Sequence, residues 1–490
     1  MELNKVILNR LFLIISGLIV ILSLFFDFYT KSYYSGAVAD DAYYYSVASS
    51  LLETGVTVDA TTIPNKPTLN AHWAIVIVYA IFISFGLDFL QISIVTSLIG
   101  GFLMLVIYFN IRNILERLSV SDSKLNASFI VLLLTCYTYY LAPVLAGRTE
   151  TFFFPLLVYW LDFTTRNKGV ETTFNWKVYY IFISMLLFAF RLQALLIFIS
   201  LLFTYLFHKE VKAFFHYLIY FGLAIILVYL INSLLSGHVL SEAENGLVSE
   251  TSSLTFEKLV QNLSVVLNLF SNSLKTAFLL YNKIVFVLVM ILGIGSIFVC
   301  SKKDYLRHFF VLIVCISIAA FVISIPTYIA KNTLRYISYI IPILLLLVLS
   351  IKTDKKIKKL ILGLLIITTF GSLHQMQSDF RNLNLNKYHK VNRNKKYLYF
   401  NNLLLSGEER IYGYSLLGYE THRLIYSSTN KSLYILDNLN NLNDLKGYLL
   451  IPEKLFMNGK LKNNKVIYTF KINEVYVLLK LGQSSLNNVN

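Results

Sequence analysis

Between residue 11 and about residue 373 the chain passes again and again through long, almost uncharged apolar stretches. A run of roughly 18 or more such residues is long enough to cross the hydrocarbon core of a bilayer as a helix. A soluble helix would interrupt each run with charge on one face, and most of these runs carry none. Inside a bilayer no water is at hand for the backbone N–H and C=O groups, so helices that satisfy their own hydrogen bonds are the fold open to this chain.

The net charge of +16 would by itself raise the question of nucleic acid. Its distribution points elsewhere. The basic residues cluster in short loops: Lys5 and Arg10; Arg112, Arg117 and Lys124; Arg166, Lys168 and Lys177; Lys209 and Lys212; Lys302, Lys303 and Arg307; Lys352, Lys355, Lys356, Lys358 and Lys359. Solvated basic loops on the cytoplasmic face are what the positive-inside rule expects, and no nucleic-acid partner is implied. Cys136, Cys300 and Cys315 lie in or beside apolar runs without metal-ligand spacing and read as small core residues. Ala37-Val38-Ala39 resembles a signal-peptidase site but lies far beyond the apolar run at about 11–28, which exceeds the usual ~7–15-residue h-region. The first segment is therefore expected to be a retained helix.

With the N-terminus cytoplasmic, the first span runs outward over about 11–29, and Asp40 and Asp41 close its outer end. The apolar stretch 71–87 cannot cross without exporting the basic loop 112–124, so it is expected to lie in the outer interface or to be re-entrant. Further spans fall near 90–111, 126–145, 150–164, 178–190, 192–207, 214–235, 278–299, 309–325, 335–351 and 358–373, about eleven in all. Outer loops cover 30–89 and 236–275, the latter holding Glu242, Glu244, Glu250 and Glu257 and an amphipathic stretch from Leu254 to Leu274. Residues 374–490 are mixed and polar, with alternating apolar segments such as 432–436 and 475–479. The fold class expected is an all-α polytopic membrane bundle over 1–373 with a small C-terminal α/β domain over 374–490, outside the membrane.

On this map the outer ends of the spans collect a distinct set of polar groups. Asp40 and Asp41 stand together at one outer mouth. Lys66, Asn70 and His72 lie in the first outer loop; Arg148 and Glu150 occupy one outer turn; Arg191 and Gln193 interrupt an apolar run at another; Lys331, Arg335 and Tyr336 occupy a third. Each has a plainer reading: Asp40 and Asp41 as a solvated pair, Arg148 with Glu150 as an interfacial ion pair, Lys331 and Arg335 as snorkelling anchors. Arg191 is harder to dismiss, because a charge within an apolar run is expensive. A carboxylate base, a second carboxylate and several cations suit one reaction well. A hydroxyl attacks a lipid-phosphate-linked sugar: the acceptor needs a base to take its proton, and the departing phosphate needs cations rather than an acid. A glycosidase would instead flank the bond with two carboxyl groups.

Five motifs, in this order, resemble the C-type integral-membrane glycosyltransferase superfamily, which includes protein mannosyltransferases and lipid A aminoarabinose transferases. They are Asp40-Asp41-Ala42-Tyr43-Tyr44-Tyr45 with Ala48 and Gly55; Pro67-Thr68-Leu69-Asn70-Ala71-His72-Trp73; Gly147-Arg148-Thr149-Glu150-Thr151; Phe190-Arg191-Leu192-Gln193; and Leu334-Arg335-Tyr336 with Pro342. The resemblance covers residues 11 to about 350. Ala74 stands where relatives commonly have Pro, and Leu192 where they have Pro after Arg. The resemblance implies that Asp40 is the general base, with Asp41 its neighbour or substitute, and that Glu150 orients the acceptor or a divalent cation. It also implies that Arg191, Lys331 and Arg335 hold the donor phosphate; from the same outer polar set Arg148 is expected to join them, with Lys66, Asn70, His72 and Tyr336 in contact with donor or acceptor. The implied donor is a polyprenyl-phosphate sugar and the implied acceptor a lipid-linked or surface glycan such as O-antigen, at the outer face of a bacterial cytoplasmic membrane. No nucleotide-binding fingerprint occurs in the inner loops, which argues against a sugar nucleotide. A lipid-linked polysaccharide polymerase would be expected to use a large arginine-bearing outer loop, and here that loop is acidic. A flippase or transporter would place its ionisable groups near the midplane of the spans.

Overall fold

The computed structural model describes residues 2–34, 39–57, 73–145, 147–166, 173–236, 304–324, 338–350 and five strands between 410 and 481. The spans expected near 278–299 and 358–373 and the loop 236–275 lie outside the described residues. The helices are α1 (Glu2–Tyr34), α2 (Ala39–Thr54), α3 (Trp73–Ser84), α4 (Phe89–Arg117), α5 (Ser123–Cys136), α6 (Thr138–Leu145), α7 (Thr149–Arg166), α8 (Phe174–Phe190), α9 (Ala194–Phe207), α10 (Val211–Ser236) and α11 (Tyr305–Ser324). A 3₁₀ turn, Ser338–Ile340, leads into α12 (Ile341–Ser350).

The chain is a polytopic, multi-pass membrane bundle. Among the described residues, three helical segments are long and apolar enough to cross a bilayer, Asn4–Phe25, Gln91–Arg117 and Val211–Ser236, and six further apolar helices are shorter. Their free faces show what a soluble protein hides: Leu18, Ile21 and Leu22 on α1, Phe102 and Phe109 on α4, and Phe215, Ile219 and Leu234 on α10 are all exposed. Two sequence expectations are corrected. Asp40 and Asp41 do not close the first helix, which ends at Tyr34; they stand in the first turn of the next one. The span expected over 126–145 is two helices, broken at Tyr137, whose extended backbone (φ −89°, ψ 102°) ends α5.

The chain divides into two compact units, one of Met1–Phe25, Thr96–Ile231 and Val239–Leu383, the other of Phe26–Val95, Asn232–His238 and Asn384–Asn490. The core of the first is aromatic. Trp160 of α7 lies 5.9 Å from Tyr180 of α8, 5.6 Å from Phe198 of α9, 6.2 Å from Phe221 of α10 and 6.4 Å from Phe309 of α11, ring centre to ring centre. Its indole N–H donates to Ser184 Oγ at 3.0 Å, which meets the one polar need of a buried tryptophan.

The second unit holds a five-stranded sheet: β1 (Arg410–Tyr414), β2 (Leu433–Leu436), β3 (Gly447–Pro452), β4 (Val466–Lys471) and β5 (Val475–Leu481), ordered β2-β1-β3-β5-β4. β1 runs parallel to β2 and to β3, and β5 runs antiparallel to β3 and β4. Tyr412, Leu449 and Leu479 are paired across β1, β3 and β5 and are all buried, so one face is a core face. The strands expected at 432–436 and 475–479 are β2 and β5. In the same unit α2 packs on α3, with Tyr44 edge-on to Tyr79 at 6.3 Å.

Candidate active site

The site is built where α6 ends and α7 begins. The last carbonyls of a helix have no partner within it. Two hydroxyls supply partners here: Ser97 of α4 donates to Leu145 O at 2.5 Å, and Thr151 of α7 donates to Pro143 O at 3.3 Å. α4 reaches that end of α6 because residue 100 is glycine: a Cβ there would lie 2.1 Å from Val144 O. The chain then reverses through Gly147, at φ +76°, a region open to glycine at little cost. The Arg148 N–H donates to Thr151 Oγ1 at 3.0 Å and closes the turn. These contacts set Glu150 in the first turn of α7, fully buried, with Thr149 Oγ1 donating to its Oε2 at 3.0 Å.

The partner of Glu150 comes from the break between α8 and α9. Arg191 ends α8 in extended backbone (φ −155°, ψ 134°), its N–H still bonded to Leu187 O. Its Nη1 lies 3.0 Å from Glu150 Oε1, with the two side chains 6% and 0% exposed. A guanidinium in an apolar run needs a compensating charge, and the break delivers it to one. Phe190 stacks on Phe152 at 5.3 Å on one side of the pair. On another, Phe153 meets Tyr339 edge-on at 5.9 Å, and Arg191 is within electrostatic reach of that phenol. Three elements therefore converge: the start of α7, the α8–α9 break and the 3₁₀ turn before α12.

Of the residues predicted from sequence, the structure brings Glu150 and Arg191 together and buries Arg148 beside them. Glu150 pairs with Arg191, a partner the sequence reading did not name for it. Asp40 and Asp41 stand in the first turn of α2, in the other unit. Lys66, Asn70, His72, Lys331, Arg335 and Tyr336 lie outside the described residues, although Tyr339, buried against Phe153, follows Tyr336 closely in sequence. Among the described residues no group of three or more His, Cys, Asp or Glu is placed to hold a metal ion.

Sequence reasoning missed Asp162. Its carboxylate is 1% exposed near the far end of α7. It accepts from Arg166 Nη2 at 2.7 Å and Asn113 Nδ2 at 3.3 Å, and it is paired with Arg117 Nη2, which also donates to Asp162 O at 3.1 Å. Arg117 Nε donates to Thr165 Oγ1 at 3.1 Å. Arg117 and Arg166, read from sequence as solvated loop charges, are thus tied to a buried acid. The available signal was the one that flagged Arg191: a charge set in an apolar run, here Tyr159-Trp160-Leu161-Asp162-Phe163.

No protein-family profile matches the chain, and no curated protein does. Its fold is similar to two solved structures. One is the oligosaccharyltransferase of Archaeoglobus fulgidus tethered to an acceptor peptide, at 11% identity over 91% of this chain and 69% of that one, with a TM-score of 0.49. The other is ArnT from Cupriavidus metallidurans in the apo state, at 11% identity over 96% of this chain and 98% of that one, with a TM-score of 0.45. The functional reading rests on the chain's own residues.

Proposed function

We propose that the chain is a membrane glycosyltransferase that moves a sugar from a polyprenyl-phosphate donor to a hydroxyl of a lipid-linked or cell-surface glycan, at the outer face of the cytoplasmic membrane. The observation that carries this reading is the buried Glu150–Arg191 pair, set at two helix breaks in an otherwise apolar bundle. A bundle that only had to pack would gain from apolar residues at these positions, because a buried ion pair seldom repays its desolvation. The motif order from Asp40 to Arg335 supplies the rest of the reading.

In the proposed reaction Asp40 takes the proton of the acceptor hydroxyl. The oxygen attacks the anomeric carbon, the bond from that carbon to the phosphate oxygen breaks, and polyprenyl phosphate leaves with both electrons. A single displacement inverts the anomeric centre. Arg191 faces the phosphate in this scheme, its fork held by Glu150, and Arg148, Lys331 and Arg335 add positive charge there. A fixed guanidinium needs little reorganisation as charge builds on the leaving group.

The test is transfer by membranes carrying wild type or Asp40→Asn at equal protein level, with the surface glycan read by mass spectrometry. Loss of a general base costs about 10²–10⁴-fold in rate. An Asp40→Asn protein that restores the sugar removes Asp40 from the mechanism. A deletion strain with an unchanged glycan overturns the transferase reading.

A further inference from the structure

At the end of α7 opposite Glu150, the surface between α7 and α8 carries polar groups that the proposed reaction does not use. One buried carboxylate, Asp162, faces two guanidinium groups, Arg117 and Arg166, so the cluster keeps a surplus positive charge. The surplus lies at the surface with Arg166, whose side chain is 56% exposed against 24% for Arg117. A guanidinium carries five N–H donors, and Arg166 commits Nη2 to Asp162.

Phe163 and Tyr159 continue the stripe of α7 that holds Arg166, at the spacing that makes helical residues neighbours. Phe163 stacks on Trp176 of α8 at 5.5 Å. Tyr159 Oη lies 2.8 Å from Tyr179 Oη, and this phenol pair is exposed. Arg166 is within electrostatic reach of the Tyr159 phenol. In such a pair one hydroxyl donates and the other accepts, and the accepting one keeps its own proton to donate elsewhere. Val178 and Phe182 share the face of α8 that presents Tyr179, and both are exposed.

A surplus cation, an outward phenolic O–H and an apolar stripe beside them match one ligand class. A free phosphate has no use for the stripe, and a hydrocarbon tail alone has none for the charge. A lipid whose headgroup carries net negative charge uses all three. The basic loops at this end are those that the positive-inside rule assigns to the cytoplasmic leaflet, where anionic lipids gather and where basic pockets between helices bind their headgroups.

We propose that Arg166, Tyr159 and Tyr179 form a binding site for the phosphate headgroup of an anionic phospholipid, with an acyl chain lying along Val178 and Phe182. The proposal does not depend on the transferase reading. The test is native mass spectrometry of the full-length protein in detergent, titrated with dioleoyl phosphatidylglycerol, and in parallel with dioleoyl phosphatidylcholine and with inorganic phosphate. Wild type is expected to hold phosphatidylglycerol about tenfold more tightly than phosphatidylcholine. Arg166→Gln, and separately the double variant Tyr159→Phe/Tyr179→Phe, are expected to weaken phosphatidylglycerol binding about tenfold, the scale of one lost hydrogen bond to a charged group. Asp162 keeps Arg117 and Asn113 in Arg166→Gln. The double phenylalanine variant removes only hydroxyls and stands as the test should Arg166→Gln fail to fold.

Arg10→Gln removes an exposed cation from α1 and is expected to leave binding unchanged. Thermal unfolding gives a second readout: phosphatidylglycerol is expected to raise the Tm of wild type and to raise that of the two site variants less. Equal binding by wild type and both site variants overturns the site. Equal weakening in Arg10→Gln overturns it too, since diffuse surface charge would then account for the affinity. Displacement of phosphatidylglycerol by inorganic phosphate at equal concentration overturns the lipid as the occupant.

Discussion

At the scale of single residues, the pair Glu150–Arg191 makes the sharpest demand. Glu150→Gln removes the ionic partner of a guanidinium that is 6% exposed, and Arg191→Met removes that of a carboxylate that is fully buried. Each single change is expected to cost about 3–5 kcal/mol, the scale for breaking a buried ion pair by removing one partner. The double variant Glu150→Leu/Arg191→Met removes both charges and is expected to recover most of that loss while remaining inactive. Thermal unfolding in detergent, paired with the transfer assay, measures both halves; a double variant as unstable as the singles would show that the charges hold the fold for another reason. Half of this site was legible in the sequence. Arg191 stands out because a cation in an apolar run is costly, and Glu150 because it opens a helix after Gly147-Arg148. Their contact was not legible, since side chains so far apart in sequence meet only through the packing of α7 on α8. Asp162 emitted the same signal as Arg191 but was masked by Arg166, one helical turn later, which makes the segment look like the end of a span.

At the scale of elements, the register of α4 against α6 decides where α7 begins. Gly100→Ala places a methyl group 2.1 Å from Val144 O, a backbone atom that cannot swing away. We expect a loss of about 1–3 kcal/mol, the range for overpacking, together with reduced transfer, because the end of α6 that α4 supports carries the turn to Glu150. Ser97→Ala leaves the Leu145 carbonyl without its donor and is expected to cost about 1 kcal/mol. Stability measured beside kcat tests the chain of dependence: a destabilised Gly100→Ala protein with normal kcat would break the link from α4 to the site. The apolar runs announced most of these helices from composition alone. The break at Tyr137 was silent, because Cys136-Tyr137-Thr138 contains neither proline nor glycine. Strands β2 and β5 were visible as alternating apolar segments, whereas the order β2-β1-β3-β5-β4 was not, since a strand's pattern records its faces and not its neighbours.

At the scale of the whole molecule, the aromatic core around Trp160 ties five helices together. Trp160→Ala is expected to cost about 3–5 kcal/mol, as large core truncations do. Trp160→Phe loses mainly the bond to Ser184 and is expected to cost about 1 kcal/mol. Thermal melts of the two variants separate packing from hydrogen bonding; equal losses would assign the whole effect to the bond. One further consequence follows from α7 itself. It is clamped to its neighbours by charge near both ends, by Arg191 at Glu150 and by Arg117 of α4 at Asp162, about 18 Å apart along its axis. Sliding by one turn, about 5.4 Å, would pull Glu150 from Arg191 and Asp162 from Arg117 at once. The helix is therefore denied piston motion, and its depth in the bilayer is set by its neighbours rather than by the lipid. A thinner membrane must be met by tilt elsewhere in the bundle, while Glu150 keeps its level.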